Sequence, residues 1–270
     1  MTSFGARLHA AVRERGPLCA GIDPHGALLA DWGLADDVSG LETFALTAAE
    51  ALAPRVAVVK PQSAFYERFG SRGIAVLERL VILCRDAGAL VLLDVKRGDI
   101  GSTSQAYADA YLDPSSPLAV DAITASPYLG FGSLTPMIDT ARRHGAGVFV
   151  LALTSNPEGR EVQGARSGDA TVAEVVLGRL RELNRDADPL GSFGAVVGAT
   201  VDGSGHRLDI NGPILAPGFG AQGGTVEDLR RVFGTSVGQV LPSTSRELLA
   251  SGPTGLADAA DRLNDRLRRL

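Results

Sequence analysis

Asp94, Lys96 and Asp99 stand close together in the segment Val91-Leu92-Leu93-Asp94-Val95-Lys96-Arg97-Gly98-Asp99-Ile100. Apolar residues lead into it, so it reads as a strand. Side chains alternate faces along a strand, which puts Leu92, Asp94 and Lys96 on one face and Val91, Leu93 and Val95 on the other. The second face is wholly apolar and suits packing under helices. The first must open on a polar site, because charge in a core is costly unless paired. Carboxylates on either side of a lysine favour its charged form. Such an ammonium can stabilise negative charge that develops beside it and can also give up a proton. The simpler reading is an ion pair that only fixes the strand. Asp23 and Lys60 weigh against that reading, since each ends another apolar run. Several ionisable groups on neighbouring strand ends mark a site.

The elements that must position these groups follow from hydrophobic periodicity. Eight short apolar runs read as strands: Leu18–Asp23, Val56–Lys60, Leu90–Lys96, Ala122–Thr124, Gly147–Leu153, Ala195–Ala199, Ile214–Pro217 and Gln239–Pro242. Helical period is clearest in Gly40–Leu52, Ile74–Ala87, Ser133–His144, Thr171–Arg185 and Val226–Val232, with Gly255–Leu270 as a closing helix. Strands alternating with helices imply a parallel sheet, and eight repeats imply an α/β fold closed as a single (β/α)8 TIM barrel. No linker or composition shift divides the chain, so one domain over 1–270 is expected. Three stretches break the rhythm after strand ends, where a barrel keeps its functional loops. They are Asn156–Gly168, Val201–Gly212 and Gly218–Thr225, all with glycine.

Composition sets the outer limits. The 270 residues suit a barrel of about 250 residues. Hydrophobic residues make up 45% and aromatics 5%, so the core must be aliphatic, as barrel interiors are. A net charge of −5 speaks against a nucleic-acid partner, which would need a basic stripe. No apolar run is long enough for a membrane span, and the N-terminus lacks a signal-peptide core. Cys19 and Cys84 lie in apolar runs and read as buried thiols of a reducing, cytoplasmic protein. His9, His25, His144 and His206 are scattered without metal-ligand spacing, so no metal site is expected. His25, beside Asp23 at a loop start, reads at most as a lining residue of the barrel mouth. Arg160 and Arg166, in the glycine-containing insertion, read as solvated side chains, with a lid as the alternative.

Taken with their order along the chain, these motifs resemble a known family. Asp94-Val95-Lys96-Arg97-Gly98-Asp99-Ile100 is similar to the Asp-x-Lys-x-x-Asp motif of orotidine monophosphate decarboxylases. Gly21-Ile22-Asp23-Pro24-His25 resembles the family's first-strand signature. Val59-Lys60-Pro61-Gln62-Ser63-Ala64-Phe65-Tyr66-Glu67 resembles the second, in the form of the longer-chain bacterial (type 2) branch. Leu153-Thr154-Ser155-Asn156-Pro157 resembles the fifth-strand loop, and Pro217-Gly218-Phe219-Gly220-Ala221-Gln222-Gly223-Gly224 the phosphate-gripper loop. The resemblance spans nearly the whole chain.

The resemblance implies a carboxy-lyase that converts orotidine 5′-monophosphate to UMP and CO2, the last step of UMP biosynthesis, without a cofactor. Loss of CO2 from C6 leaves a carbanion with no carbonyl beside it to delocalise the charge. The protein itself must supply a fixed positive charge there, and then a proton. Lys96 is implied in both roles, with Asp94 near the departing carboxylate and Lys60 holding the network in register. Asp99, with Ile100 and Thr103, is implied to reach the partner's site, which requires a homodimer with shared active sites. Asp23 and Lys60 are implied to contact the ribose, Ser155 the pyrimidine, and Gln222 with Arg246 the phosphate. Leu241-Pro242-Ser243-Thr244-Ser245-Arg246 is longer than the corresponding motif of many relatives, so the neighbouring hydroxyls stay open as phosphate ligands.

Three other readings compete. A magnesium-dependent hexulose-phosphate synthase on the same barrel would share Asp and Lys positions but has no need of Ser155 or Gln222. A Schiff-base aldolase would need Lys60 or Lys96 neutral, and flanking carboxylates push the other way. A nucleotide-binding regulator on a retired barrel would lack a member of the tetrad, yet Lys60, Asp94, Lys96 and Asp99 are all present.

Overall fold

The computed structural model describes residues 2–201, 205–220 and 223–270. Eight parallel strands close into a barrel in chain order: β1 (Cys19–Ile22), β2 (Val58–Pro61), β3 (Leu90–Arg97), β4 (Ala122–Ala125), β5 (Gly147–Leu153), β6 (Phe193–Val197), β7 (Ile214–Pro217) and β8 (Val240–Thr244). β8 pairs back onto β1 with Cys19 opposite Ser243, so no sheet edge remains among them. Each expected run holds a strand. No boundary shifts by more than two residues; β6 moves two residues earlier at both ends, β2 starts two later and β8 ends two later than hydrophobicity alone suggests. A separate two-stranded ribbon, Arg166–Ser167 with Ala170–Thr171, lies in the insertion after β5.

The alternation read along β3 decides which core each residue joins. Leu92 packs inside the barrel with Val58, Phe149, Val196, Leu215 and Leu241. Val91, Leu93 and Val95 pack outward in the larger cluster between strands and helices. The helix Phe4–Arg15, absent from the periodicity reading, plugs the N-terminal end: Phe4 is 1% exposed and meets Phe149 edge to face at 5.9 Å. Burying such a side chain stabilises by about 1.5–3 kcal/mol.

Helix caps fix where two of the expected helices begin. Thr171 and Thr225 are N-caps with full capping boxes to Glu174 and Asp228, so the first of those helices begins one residue later than expected, at Val172, and the second at Val226 as expected. The closing helix starts at Gly252 with Pro253 in its first turn and runs to Leu267. Its buried Asn264 donates to the carbonyls of Arg15 (2.8 Å) and Arg55 (3.2 Å) and accepts from the Leu18 amide at 3.1 Å. The helix Gly101–Leu112 escaped the sequence reading because its first turn, Gly-Ser-Thr-Ser, has no apolar face. No helix among the described residues is long and apolar enough to cross a membrane.

Candidate active site

The C-terminal strand ends gather the charged residues. Lys60 is 5% exposed, Asp94 9% and Asp23 6%. The Lys96 ammonium donates to both Asp94 carboxylate oxygens at 2.8 Å, and the Lys60 ammonium stands 3.5 Å from Asp94 Oδ2. Thr124 donates its hydroxyl to Asp94 Oδ1 at 2.7 Å. Burial alone would raise the Asp94 carboxyl, but Lys60 and Lys96, with hydrogen bonds from Lys96 and Thr124, outweigh it and hold it at about 2. Burial alone would lower Lys60, but Asp23 and Asp94 outweigh it and hold its ammonium above the ordinary lysine range. Both groups are therefore charged at neutral pH, and Lys60 is unsuited to Schiff-base chemistry.

Backbone geometry sets where Lys96 stands. Its φ of 47° lies in the left-handed region, which costs a residue with a side chain about 1–3 kcal/mol. Strict alternation therefore reaches the right face but not the right backbone: the strand kinks at Lys96. Immediately beyond, Gly98 passes so close to β4 that a Cβ there would meet the Ser126 carbonyl oxygen at 2.3 Å. Only glycine fits.

A cavity of about 300 Å³ opens above this cluster, lined by Asp23, Lys60, Asp94, Lys96 and Ser155, with Leu151, Val196 and Leu215 as an apolar wall. A second cavity of about 140 Å³ adjoins it, lined by His25, Gly218, Phe219, Ser243, Thr244 and Arg246. Asp23, Gln62 and Ser245 line both. Buried Asp23 Oδ1, Thr244 Oγ1 and Ser245 Oγ have no hydrogen-bond partner among the described residues, so polar capacity stands unused at the junction. The pair of cavities is suited to a molecule with a flat, partly apolar ring at one end, hydroxyls in the middle and an anion at the other. His25 packs on Phe65 with ring centroids 4.1 Å apart, and burial lowers its pKa despite nearby Asp23.

Of the residues expected from sequence, Asp23, Lys60, Asp94, Lys96 and Ser155 meet at one cavity and Arg246 at its neighbour. Asp99 and Thr103 do not line either cavity of their own chain. Asp99 Oδ1 accepts from the Ile100 amide at 2.8 Å, and Thr103 is exposed. Gln222 lies outside the described residues. Sequence reasoning missed Gln62 and Thr124. Gln62 directly follows Lys60-Pro61 and could have been found as the next residue at that strand end. Thr124 carried no signal, being one threonine in an apolar run. The insertion helix Gly159–Gln163 braces the loop that carries Ser155. Its Gln163 accepts from the Thr154 amide (2.9 Å) and donates to the Thr154 hydroxyl (2.7 Å). Among the described residues no group of three or more His, Cys, Asp or Glu is placed to hold a metal ion.

The depressed Asp94 pKa has a measurable consequence. A carboxyl that is more acidic folded than unfolded takes up its proton more readily in the unfolded chain. Its contribution to stability is full above about pH 4 and drains away as pH falls towards 2. The stability difference between wild type and Asp94→Asn, measured by denaturant titration, is therefore expected to shrink over that interval. A difference that stays constant from about pH 5 to 2 would show that nothing holds Asp94 down.

Comparison with known proteins adds an independent line. Residues 16–254 match the family described as orotidine 5′-phosphate decarboxylase / HUMPS family. The chain is 67% identical over 273 residues to an orotidine 5′-phosphate decarboxylase of Nocardioides sp., covering 99% of this chain and all of that protein. It is 61% identical to one from Streptomyces coelicolor, covering 99% and 98%. A crystal structure from Streptomyces avermitilis, of a protein ascribed the same activity, superposes with a TM-score of 0.98 at 59% identity, covering 100% of this chain and 96% of that one. The structure of Leishmania donovani OMP decarboxylase gives 0.78 at 30% identity, covering 99% and 98%.

Proposed function

The chain belongs to the orotidine 5′-phosphate decarboxylase family and decarboxylates orotidine 5′-monophosphate to UMP, and from that premise we propose that it works without a cofactor, with Lys96 as the proton donor. The observation that carries this reading is the Lys96 ammonium, bonded to Asp94 at 2.8 Å and facing the main cavity. The pyrimidine would lie against Ser155 and the apolar wall, the ribose hydroxyls against Asp23 and Lys60, and the phosphate in the smaller cavity. The C6 carboxylate would then sit near ionised Asp94. As the C6–CO2 bond breaks, its electron pair stays on C6, and the adjacent ammonium stabilises it. A proton passes from Lys96 to C6, giving UMP, and the amine regains a proton from solvent. The test is loss of orotidine monophosphate absorbance with purified protein, no added cofactor and EDTA present. Activity that EDTA abolishes would favour the metal-dependent synthase mechanism instead.

The functional unit in this reading is the whole chain, 1–270, as one domain that pairs with a second copy. Asp99 and Thr103 line neither cavity of their own chain and lie on the loop and helix after β3. Exposed Ile100 (62%) follows Asp99 in the chain, and exposed Tyr128 (76%) and Leu129 (52%) follow β4, where the Ser126 amide donates to the Arg97 carbonyl at the end of β3. These exposed apolar side chains at neighbouring strand ends support a homodimer in which Asp99 and Thr103 complete the partner's site. The free, buried Cys19 and Cys84 support a cytoplasmic location.

Arg246, with Gln222, would grip the phosphate, and the binding energy of that remote group would be spent on the reacting ring. Arg246→Ala is expected to weaken transition-state stabilisation by several kcal/mol, read from the fall in kcat/KM, as for a lost charge-assisted contact. The loss should be small for a truncated substrate without phosphate, and added guanidinium should restore part of the rate. Equal losses for both substrates would move the role to Ser243, Thr244 and Ser245, which line the same cavity.

A further inference from the structure

Thr124 is 1% exposed on β4, and its hydroxyl sits between the two residues on which the reaction turns. It donates to Asp94 Oδ1 at 2.7 Å and accepts from the Lys96 amide at 2.9 Å. A hydroxyl has one proton to give. Asp94 is ionised and can only accept, so that proton must point to the carboxylate, and the lone pairs take the Lys96 N–H. The strand register explains why the Lys96 amide needs this partner. Leu93 pairs with Ile123 and Arg97 with Ala125, so Asp94, Val95 and Lys96 together face Thr124 alone. The bulge carries Lys96 into its left-handed conformation, at φ 47°. A bulged residue loses its ladder partner. Here the Thr124 side chain replaces it.

We propose that Thr124 is a positioning residue for the decarboxylation, holding the Asp94 carboxylate and the kinked Lys96 backbone in the geometry that proton delivery requires. This rests on the reading of Lys96 as the proton donor. Before the proton moves, Asp94 is held by the Lys96 ammonium at 2.8 Å, by Thr124 at 2.7 Å and by Lys60 at 3.5 Å. When the Lys96 N–H bond breaks and C6–H forms, Lys96 becomes a neutral amine and its pull on Asp94 weakens. Lys60 is too distant for a short hydrogen bond. Thr124 is then the nearest donor to the carboxylate and keeps it from following the departing charge. The same hydroxyl keeps Lys96 from relaxing to an ordinary strand conformation, which would swing its ammonium away from the ring. Misplacement by about 1 Å at such a site costs on the order of 100-fold.

The test compares Thr124→Val, Thr124→Ser and Lys96→Ala in steady-state kinetics, with circular dichroism as the check on folding. Valine keeps the shape and removes both hydrogen bonds; serine keeps the hydroxyl. The expected result is a loss in kcat of about 10–100-fold for Thr124→Val with KM little changed, since the phosphate and ribose contacts are elsewhere. Thr124→Ser should return to within about threefold of wild type. If valine prevents folding, Thr124→Ala replaces it in the comparison with serine. The proposal is overturned if the folded hydroxyl-free variant keeps wild-type kcat, if its defect lies in KM, or if serine is as impaired as valine. Lys96→Ala separates the two readings. An active Lys96→Ala protein overturns the proton-donor reading itself. An inactive one beside an unimpaired Thr124→Val overturns only the part given to Thr124.

Discussion

Lys96→Ala is expected to lower kcat by at least about 10⁴-fold while the barrel stays folded. The size follows from removing two terms at once, the fixed cation and the proton source, each worth roughly 10²–10⁴. The intact fold follows from burial. Lys96 keeps 45% of its side chain exposed, so little packing is lost. Asp94 is not left alone, because Lys60 and Thr124 remain on it. Lys60 is the contrasting case: at 5% exposure beside Asp23 and Asp94, its removal would take a buried countercharge from Asp23 and leave a void, damaging the fold as well as the rate, although Lys96 and Thr124 would still hold Asp94. Single-turnover decay of orotidine monophosphate absorbance, alongside thermal unfolding, measures both quantities. A folded Lys96→Ala protein within tenfold of wild type would end the assignment of Lys96 as the proton donor.

Mixing two dead proteins is expected to restore about a quarter of wild-type activity. If Asp99 acts in the partner's site, Lys96→Ala and Asp99→Ala homodimers are each nearly inactive. A heterodimer of the two holds one site with both residues and one with neither. Random exchange makes half of all dimers mixed, and half of their sites whole. Against the residual rate expected of Lys96→Ala this is a rise of about three orders of magnitude. Exchange must be shown directly, for instance with differently tagged subunits. Proven exchange without recovery would place Asp99 in the service of its own chain.

Much of the site is legible in the chain alone. The alternation along β3 separates Asp94 and Lys96 from Val91, Leu93 and Val95, because side-chain direction in a strand is a local property of period two. Strand ends that finish on Asp23 and Lys60 point to the mouth of the barrel for the same reason. The helix Gly101–Leu112 is not legible, since a helix without an apolar stripe gives no periodic signal.

Sequence by itself thus determined the strand–helix rhythm, the number of strands and the charged residues that belong at their C-terminal ends. Each depends only on a short stretch of chain and its period. The tertiary structure alone decided what meets across strands. Thr124 reaches Asp94 from 30 residues away because the β3–β4 register slips between Leu93 and Arg97. Gln62 borders both cavities because closure of β8 onto β1 brings Ser243 and Ser245 across from it. Asp99 follows the kink at Lys96 and lines neither cavity of its own chain, its Oδ1 accepting from the Ile100 amide. Register and closure are properties of the whole barrel, set by packing between distant segments, and no local period encodes them.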